Sequence, residues 1–141
     1  MIKSYAYLAV AAFGLLTACS KKEDAQPAAT TTNLTATIDG SQQMPANNST
    51  ATGTFAGIYD SGNKQLTYTV TYKGFTPTIA HIHLSATGAV AIPFDNLTSP
   101  ITGTVTLSND QATQLLNNGM YVNMHSAAFQ NGEIRGEIKK Q

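Results

Sequence analysis

The residues of this chain that are best suited to chemistry are its three histidines. His81 and His83 lie two apart in His81-Ile82-His83, and His125 ends a later apolar segment, residues 121–125. Side chains two apart on a β-strand point to the same side, so His81 and His83 would offer two imidazoles to one metal ion. A histidine from a neighbouring strand would complete a copper or zinc site with an open position, which makes His125 the predicted third ligand.

Arg135 is the only arginine of the chain, and it lies between Glu133 and Glu137 in a second conspicuous segment, residues 132–138. Beside a bound metal, its guanidinium group would be a neighbour of the site rather than a ligand. The alternative interpretation is structural. The histidines would then serve as hydrogen-bonded supports, and Arg135 would form cross-strand ion pairs of little energetic value in water. Both interpretations are compatible with the sequence.

The register of the last hairpin decides whether His125 can join the other two histidines. Asn131-Gly132 is typical of a two-residue type I′ turn, which would place His125 opposite Ile138 on the apolar face of the sheet. One bulged residue would instead group His125 with Arg135 on the polar face. Met124 is better suited to the core than its neighbours, which favours the bulge.

Catalysis requires more than these residues provide. A His-x-His strand followed by a later histidine and an arginine is similar to the pattern of the Cu,Zn superoxide dismutases, so a copper- or zinc-dependent redox enzyme is the alternative function. That chemistry needs more than three histidines and a bridging ligand. The sequence also contains no visible Ser-His-Asp arrangement and no carboxylate pair in an apolar setting. We therefore predict a non-enzymatic protein without catalytic residues.

The amino terminus has the features of a targeting segment. Lys3 precedes an apolar run over residues 5–16, which has the length of a signal peptide. The run closes with Leu16-Thr17-Ala18-Cys19, which resembles a bacterial lipobox, so residues 1–18 are predicted to be a lipoprotein signal peptide and Cys19 the lipidated residue. The alternative is an ordinary secretory signal with an incidental cysteine.

Acyl chains on Cys19 would anchor the mature protein to a membrane of the cell envelope without a transmembrane helix. Ser20 is unlike the aspartate that retains lipoproteins at the inner membrane, which favours the outer membrane. The charged segment Lys21-Lys22-Glu23-Asp24 is either a surface-export signal or a solvated spacer. Residues 19–33 are predicted to form the lipidated cysteine and a flexible tether.

Beyond the tether, the chain alternates between apolar and polar residues with a period of two. Gln65–Lys73 places Leu66, Tyr68 and Val70 on one face and threonines on the other, which predicts a half-buried strand. Residues 60–63 form a turn signal between this segment and a similar one before it, so the two segments are predicted to form a hairpin. Only residues 108–119 have a helical pattern, with capping residues at the start and Asn-Asn-Gly at the end. These features predict an all-β domain, an antiparallel β-sandwich or barrel with one short connecting helix.

Several motifs together resemble the CHRD domain, a module named for chordin and found in many microbial secreted proteins. The motifs are Leu34-Thr35-Ala36, Met44-Pro45, Thr52-Gly53, Ala80-His81-Ile82-His83, residues 121–125 and residues 132–138. The resemblance implies an immunoglobulin-like β-sandwich or barrel over residues 34–141. It implies no particular activity, because the microbial members have no settled biochemical function.

The expected function is therefore that of a lipid-anchored binding or interaction module of the cell envelope. Its expected contacts are the membrane, through the lipid at Cys19, and a protein partner. Copper or zinc at the three histidines would be its cofactor. A further alternative is a purely structural surface protein that has no metal site and binds another protein through the threonine-rich sheet faces. The formal net charge of the chain is +0 and no basic stripe is visible, so nucleic acid is excluded as an expected partner.

Overall fold

The computed structural model describes residues 29–141. The elements of this part of the chain are β1 Thr31–Asp39, a 3-10 turn Gly40–Gln42, β2 Thr52–Asp60, β3 Gln65–Lys73, β4 Ile79–Leu84, β5 Val90–Pro93, β6 Ile101–Thr106, α1 Asn109–Leu116, β7 Met120–His125, β8 Ile134–Glu137 and β9 Lys139–Lys140. The predicted signal peptide, Cys19 and the first part of the tether lie outside the described residues. Because β1 begins at Thr31, residues 31–33 belong to the sheet and not to the predicted tether.

The strands form one antiparallel sheet in the order β5-β4-β7-β8-β1-β2-β3-β6, and β9 also pairs with β1. The sheet curls into a half-barrel around the hydrophobic core. This arrangement confirms the expected all-β sandwich or barrel class, and α1 is the single short α-helix of residues 29–141. The arrangement also brings β4 and β7 side by side, although β5, β6 and α1 separate them in the chain.

The inner face of the sheet is built by the period-two alternation of its strands. In β3, Leu66, Tyr68 and Val70 are buried, as the sequence predicts. In β4, Ala80 and Ile82 are buried in the same way. Burial of apolar surface at about 25 cal/mol per Å² makes this inner face the main source of stability. The side chains between these residues therefore point outward.

The helix α1 and the β2–β3 hairpin follow their sequence signals. Ser108 caps α1, since its side chain accepts a hydrogen bond from the backbone N–H of Gln111 while the Gln111 side chain accepts one from the Ser108 N–H. Leu115 is buried and fixes the helix against the core. The β2–β3 connection includes the predicted turn, with Lys64 in the left-handed region at φ 58°. Among residues 29–141, no helix is both long and apolar enough to span a membrane.

Candidate metal centre

Strand β4 places His81 and His83 on the outer face of the sheet. Ala80 and Ile82 alternate with them and are only 1% and 0% exposed, so the two histidines must point away from the core. Their imidazole rings lie next to each other, with centroids 5.3 Å apart. The sequence prediction that the two rings share one side of the strand is confirmed.

Strand β7 brings His125 to the same place. It pairs with β4 in an antiparallel register in which His125 lies opposite Ile79 and Asn123 lies opposite His81. The His81 and His125 ring centroids are 6.5 Å apart. One ring nitrogen from each of the three histidines lies within 4.8 Å of the others. The three side chains therefore form a single group, which we call the histidine cluster (His81, His83 and His125).

Backbone carbonyl groups fix the tautomers of two members of the cluster. Nδ1 of His83 lies 2.9 Å from the carbonyl oxygen of Gly88, and Nδ1 of His125 lies 2.9 Å from that of Gln130. A carbonyl oxygen can only accept, so both Nδ1 atoms carry the hydrogen and both Nε2 atoms keep a lone pair. Metal-binding histidines are commonly oriented in this way, by a hydrogen bond from the nitrogen that does not bind the metal.

Two ring nitrogens of the cluster are buried without a hydrogen-bond partner. They are Nδ1 of His81 and Nε2 of His83. Buried polar atoms are nearly always hydrogen-bonded, so two unpartnered nitrogens in one cluster require an explanation. Nε2 of His83 has a lone pair, and Nδ1 of His81 has one in the tautomer that carries its hydrogen on Nε2, so a bound metal ion would satisfy both nitrogens. The donor set, three imidazole nitrogens, is one that zinc and copper accept.

The surroundings of His81 favour its neutral form. Burial lowers the pKa of His81 from its ordinary value, because the charged form loses hydration, and repulsion from His83 and then His125 lowers it further. A neutral imidazole has the free lone pair that a metal ion requires. The surroundings of His81 therefore disfavour the doubly protonated ring, which could not bind a metal ion.

Arg135 lies beside the cluster but does not face it directly. Its guanidinium carbon is 3.7 Å from the ring centroid of Tyr121, and its Nη2 forms an ion pair with Glu137. The Tyr121 ring stacks on His83, with centroids 5.1 Å apart and an interplanar angle of 11°. Arg135 on β8 thus reaches the cluster through Tyr121 on β7, by a cation–π contact with its ring. His83, on which the Tyr121 ring stacks, lies on β4.

The comparison with known families adds one result to this geometry. The model of the CHRD domain matches residues 34–138. The chain belongs to the CHRD domain family. Comparison with curated proteins returned no match. Membership of this family suggests a binding or interaction module, and the histidine cluster lies within the matched residues.

The last hairpin of the CHRD domain corrects one prediction. Asn131-Gly132 does not form a two-residue type I′ turn, because Gly132 has φ 121° but Asn131 does not have a positive φ. β7 ends at His125 and β8 begins at Ile134, with Asn123 opposite Arg135. The longer connection still groups His125 with Arg135 on the outer face. The preferred grouping is therefore confirmed, but the predicted turn is wrong.

Two further residues of the site are not among those that the sequence motifs predict. Asn123 is 8% exposed, and its Nδ2 lies 3.3 Å from Nε2 of His125. Gln43, also 8% exposed, donates from Nε2 to Oδ1 of Asn123 across 2.6 Å. The position of Asn123 two residues before His125 on one strand could have shown that they share a face. Gln43 had no such signal, since it is distant in sequence.

Gly132 leaves the space that this amide pair occupies. A Cβ atom at Gly132 would lie 2.6 Å from Nε2 of Gln43 and 2.8 Å from Oδ1 of Asn123, both too close for real atoms. Its φ of 121° is also accessible only to glycine at low cost. The glycine of the Asn-Gly motif is thus required for close approach rather than for a tight hairpin turn.

The threonine-rich outer face lies on other strands of the same domain. Thr54 and Thr71 share a hydrogen bond of 2.7 Å across β2 and β3, and Thr67 and Thr104 share one of 3.1 Å across β3 and β6. These hydroxyl groups already satisfy one another. The face is therefore a surface of paired hydroxyls that converges on no single point, unlike the histidine cluster.

Proposed function

We propose that this CHRD domain binds one transition-metal ion, zinc or copper, through His81, His83 and His125, as part of a non-enzymatic module of the cell envelope. The observation that carries the proposal is the pair of buried nitrogens without partners, Nδ1 of His81 and Nε2 of His83. A metal ion would satisfy both nitrogens, with His81 in the tautomer that carries its hydrogen on Nε2. The carbonyl groups that hold His83 and His125 in the required tautomer support the same conclusion.

The position of Arg135 supports a binding role over redox catalysis. In a dismutase-like enzyme the arginine would face the metal and guide an anionic substrate to it. Here the guanidinium group lies on the Tyr121 ring and is paired with Glu137. Because Glu137 already compensates its charge, Arg135 is poorly suited to attract an anionic substrate. It supports the site by packing on Tyr121.

The metal proposal is tested by calorimetric titration of the full-length protein, purified in detergent, with zinc and with copper. The comparison variant carries His81→Gln, His83→Gln and His125→Gln. We expect one ion per chain with submicromolar affinity in the wild-type protein and no binding in the variant. Equal binding by both proteins would contradict the proposal, because the metal would then have other ligands.

Thermal unfolding of the same two proteins without metal separates binding from a purely structural role. If the histidines are only hydrogen-bonded supports, the triple variant unfolds at a much lower temperature and the wild-type protein binds no metal. If they form a metal site, added zinc raises the unfolding temperature of the wild-type protein alone, because the ion binds the folded state.

The same proposal includes attachment to the outer membrane through lipid at Cys19. The motif Leu16-Thr17-Ala18-Cys19 supports it. Cys19→Ser removes the thiol that would receive the lipid, so the variant should no longer incorporate labelled fatty acid or fractionate with membranes. Unchanged labelling would contradict the anchor and would leave the metal proposal unaffected. A protein partner at the threonine-rich face is a separate part of the proposal. The variant in which the three histidines are replaced should still bind that partner.

A further inference from the structure

A chain of hydrogen bonds connects the histidine cluster to a buried pair of amides. Nε2 of Gln43 donates to Oδ1 of Asn123 across 2.6 Å. Nδ2 of Asn123 in turn lies 3.3 Å from Nε2 of His125. Because Nδ1 of His125 carries the hydrogen that is donated to Gln130, its Nε2 accepts from Asn123. The lone pair that a metal would take from His125 is therefore used by Asn123.

A metal ion cannot share this lone pair with the amide N–H of Asn123. The N–H group would also direct its partial positive charge at the cation. Rotation of the Asn123 amide by half a turn exchanges Nδ2 and Oδ1, so that the carbonyl oxygen faces the metal. If Gln43 rotates as well, Nδ2 of Asn123 donates to Oε1 of Gln43. Once the ion is bound, the rotated arrangement again gives Asn123 Oδ1 and Nδ2 a partner each, so the exchange leaves neither atom of that amide orphaned.

We propose that Asn123 supplies the fourth ligand of the metal site, by a paired rotation of its amide and that of Gln43. The inference rests on the metal binding proposed above and defines its coordination. The metal-free protein holds the amide nitrogen of Asn123 on His125. The metal-bound protein holds the carbonyl oxygen of Asn123 on the ion. Gln43 keeps the pair hydrogen-bonded in both states.

The distances on β7 fit this assignment. Two ligand atoms about 2.1 Å from a tetrahedral ion lie about 3.4 Å from each other. The side-chain amide of Asn123 already lies 3.3 Å from Nε2 of His125, so an oxygen in that position is at ligand spacing. Asn123 is also the cross-strand neighbour of His81. It therefore lies between two members of the cluster, on the same face.

The proposed ligand set determines which ions the site accepts. A carbonyl oxygen is a hard donor that suits divalent ions, whereas soft thiolate and thioether sulfurs select Cu(I). Three imidazoles and one amide oxygen should therefore favour Zn(II) and Cu(II) over Cu(I). The fourth ligand also fills the position that a small substrate would need. This agrees with a binding role.

The first test is calorimetric titration of the full-length protein with Zn(II), in the wild type, Asn123→Ala and Asn123→Asp. Asn123→Ala removes the fourth ligand, so its affinity should fall about tenfold or more. Asn123→Asp presents an oxygen to the metal without any rotation and should bind at least as tightly as the wild type. The control is Asn47→Ala, which removes bonds to the Gly132 and Glu133 carbonyls but leaves the amide pair intact.

The opposite result for Asn123→Ala would overturn the inference. If Asn123 only competes for the lone pair of His125, its removal leaves zinc affinity unchanged or increases it. Thermal unfolding of each metal-free variant verifies that the fold survives, and Asn123→Asp provides the test if Asn123→Ala does not fold. Wild-type protein that binds no zinc would overturn both this inference and the proposed function. Tight wild-type binding with unaltered affinity in Asn123→Ala would overturn this inference alone.

Nuclear magnetic resonance provides a second readout that a merely structural role would not change. In the metal-free protein, the side-chain amide hydrogens of Asn123 should show proximity to the His125 ring. After addition of Zn(II), the Asn123 amide hydrogens should show proximity to Gln43 instead. The Gln43 amide hydrogens should no longer show proximity to Asn123. Unchanged contacts in the zinc-bound protein would contradict the rotation.

Discussion

His83 on β4 donates a hydrogen bond from Nδ1 to the backbone carbonyl oxygen of Gly88 across 2.9 Å. Gly88 lies in the loop that connects β4 to β5. The same loop is closed by a bond of 2.8 Å from the Gly88 N–H to the Leu84 carbonyl oxygen. Gly88 adopts φ 70°, in the left-handed region. The conformation of one glycine therefore determines how the His83 ring is held and which nitrogen it presents to the cluster.

Gly88→Ala should weaken the metal site through the backbone alone. A Cβ atom there has open space, with only the Tyr121 hydroxyl at 4.0 Å, but the left-handed conformation costs a non-glycine residue about 1–2 kcal/mol. Relaxation of that strain would move the carbonyl group and lower zinc affinity about tenfold. Calorimetry and chemical denaturation measure the two effects.

The control for this substitution is Gly74→Ala, which introduces strain at φ 95° in the connection after β3. Gly74→Ala should lose stability and keep its zinc affinity. Retention of full affinity in Gly88→Ala would show that the hydrogen bond from His83 has no role in orienting the ring for a metal.

Ile82→Val should destabilise the fold and leave the metal site intact. Ile82 is 0% exposed and points into the core from between the two histidines of β4. Removal of one buried methylene costs about 1 kcal/mol. Since the backbone of β4 is held by β5 and β7 on both sides, the outward side chains should keep their positions. Denaturation should show the loss of stability, and a zinc affinity that falls in proportion would contradict this independence.

Gly132→Ala should be one of the most damaging small substitutions in the loop before β8. The added Cβ atom would overlap the amide groups of Gln43 and Asn123, and φ 121° would become strained. A loss of about 1–3 kcal/mol in the free energy of unfolding is expected from the backbone strain. Asn131→Ala, at the exposed neighbouring position, is the control and should change stability by less than about 0.5 kcal/mol. Similar stability of the two variants would show that the loop relaxes freely.

Local sequence patterns predicted the strands and the helix because each depends on neighbouring residues. The alternation in Gln65–Lys73 and the capping residues near Ser108 are examples, and both appear as predicted. The order of the strands in the sheet was beyond such reasoning. Alternation shows that a strand has one buried face, but it does not show which strand lies beside it. The chain crosses from one edge of the sheet to the other between β5 and β6, which no local signal encodes.

The candidate site could be predicted only where its residues carry a signal of their own in the sequence. The His-x-His spacing on one strand placed His81 and His83 together, and His125 joined them as expected. The Gly88 and Gln130 carbonyl groups could not be foreseen, because a backbone acceptor has no sequence signature. Gln43 and Asn123 are 80 residues apart, and only the folded loop brings their amides together.

The stability of the metal-free protein should depend on pH through His81. The folded-state pKa of His81 is lowered below its ordinary value of 6.5 by burial and by repulsion from His83 and His125. Between the two pKa values the unfolded chain binds more protons than the folded chain, so the free energy of unfolding falls as the pH falls below about 6.5. Asp39 acts in a lower window, since hydrogen bonds from Ser41 and Gln42 hold its pKa below 3.8. Urea denaturation at pH values from 7.5 to 5, with a chelator present, measures the effect.

His81→Gln removes the titrating group, so the variant should lose less stability than the wild type over the same pH range. Zinc affinity of the wild type should decline over this range as well, because protons compete for the imidazole lone pairs. Superimposable pH profiles for the wild type and His81→Gln would contradict the prediction. In that case the free energy of protonating His81 would be the same in the folded protein and in the unfolded chain. The closeness of the three rings would then not favour the neutral form of His81 that a metal ion requires.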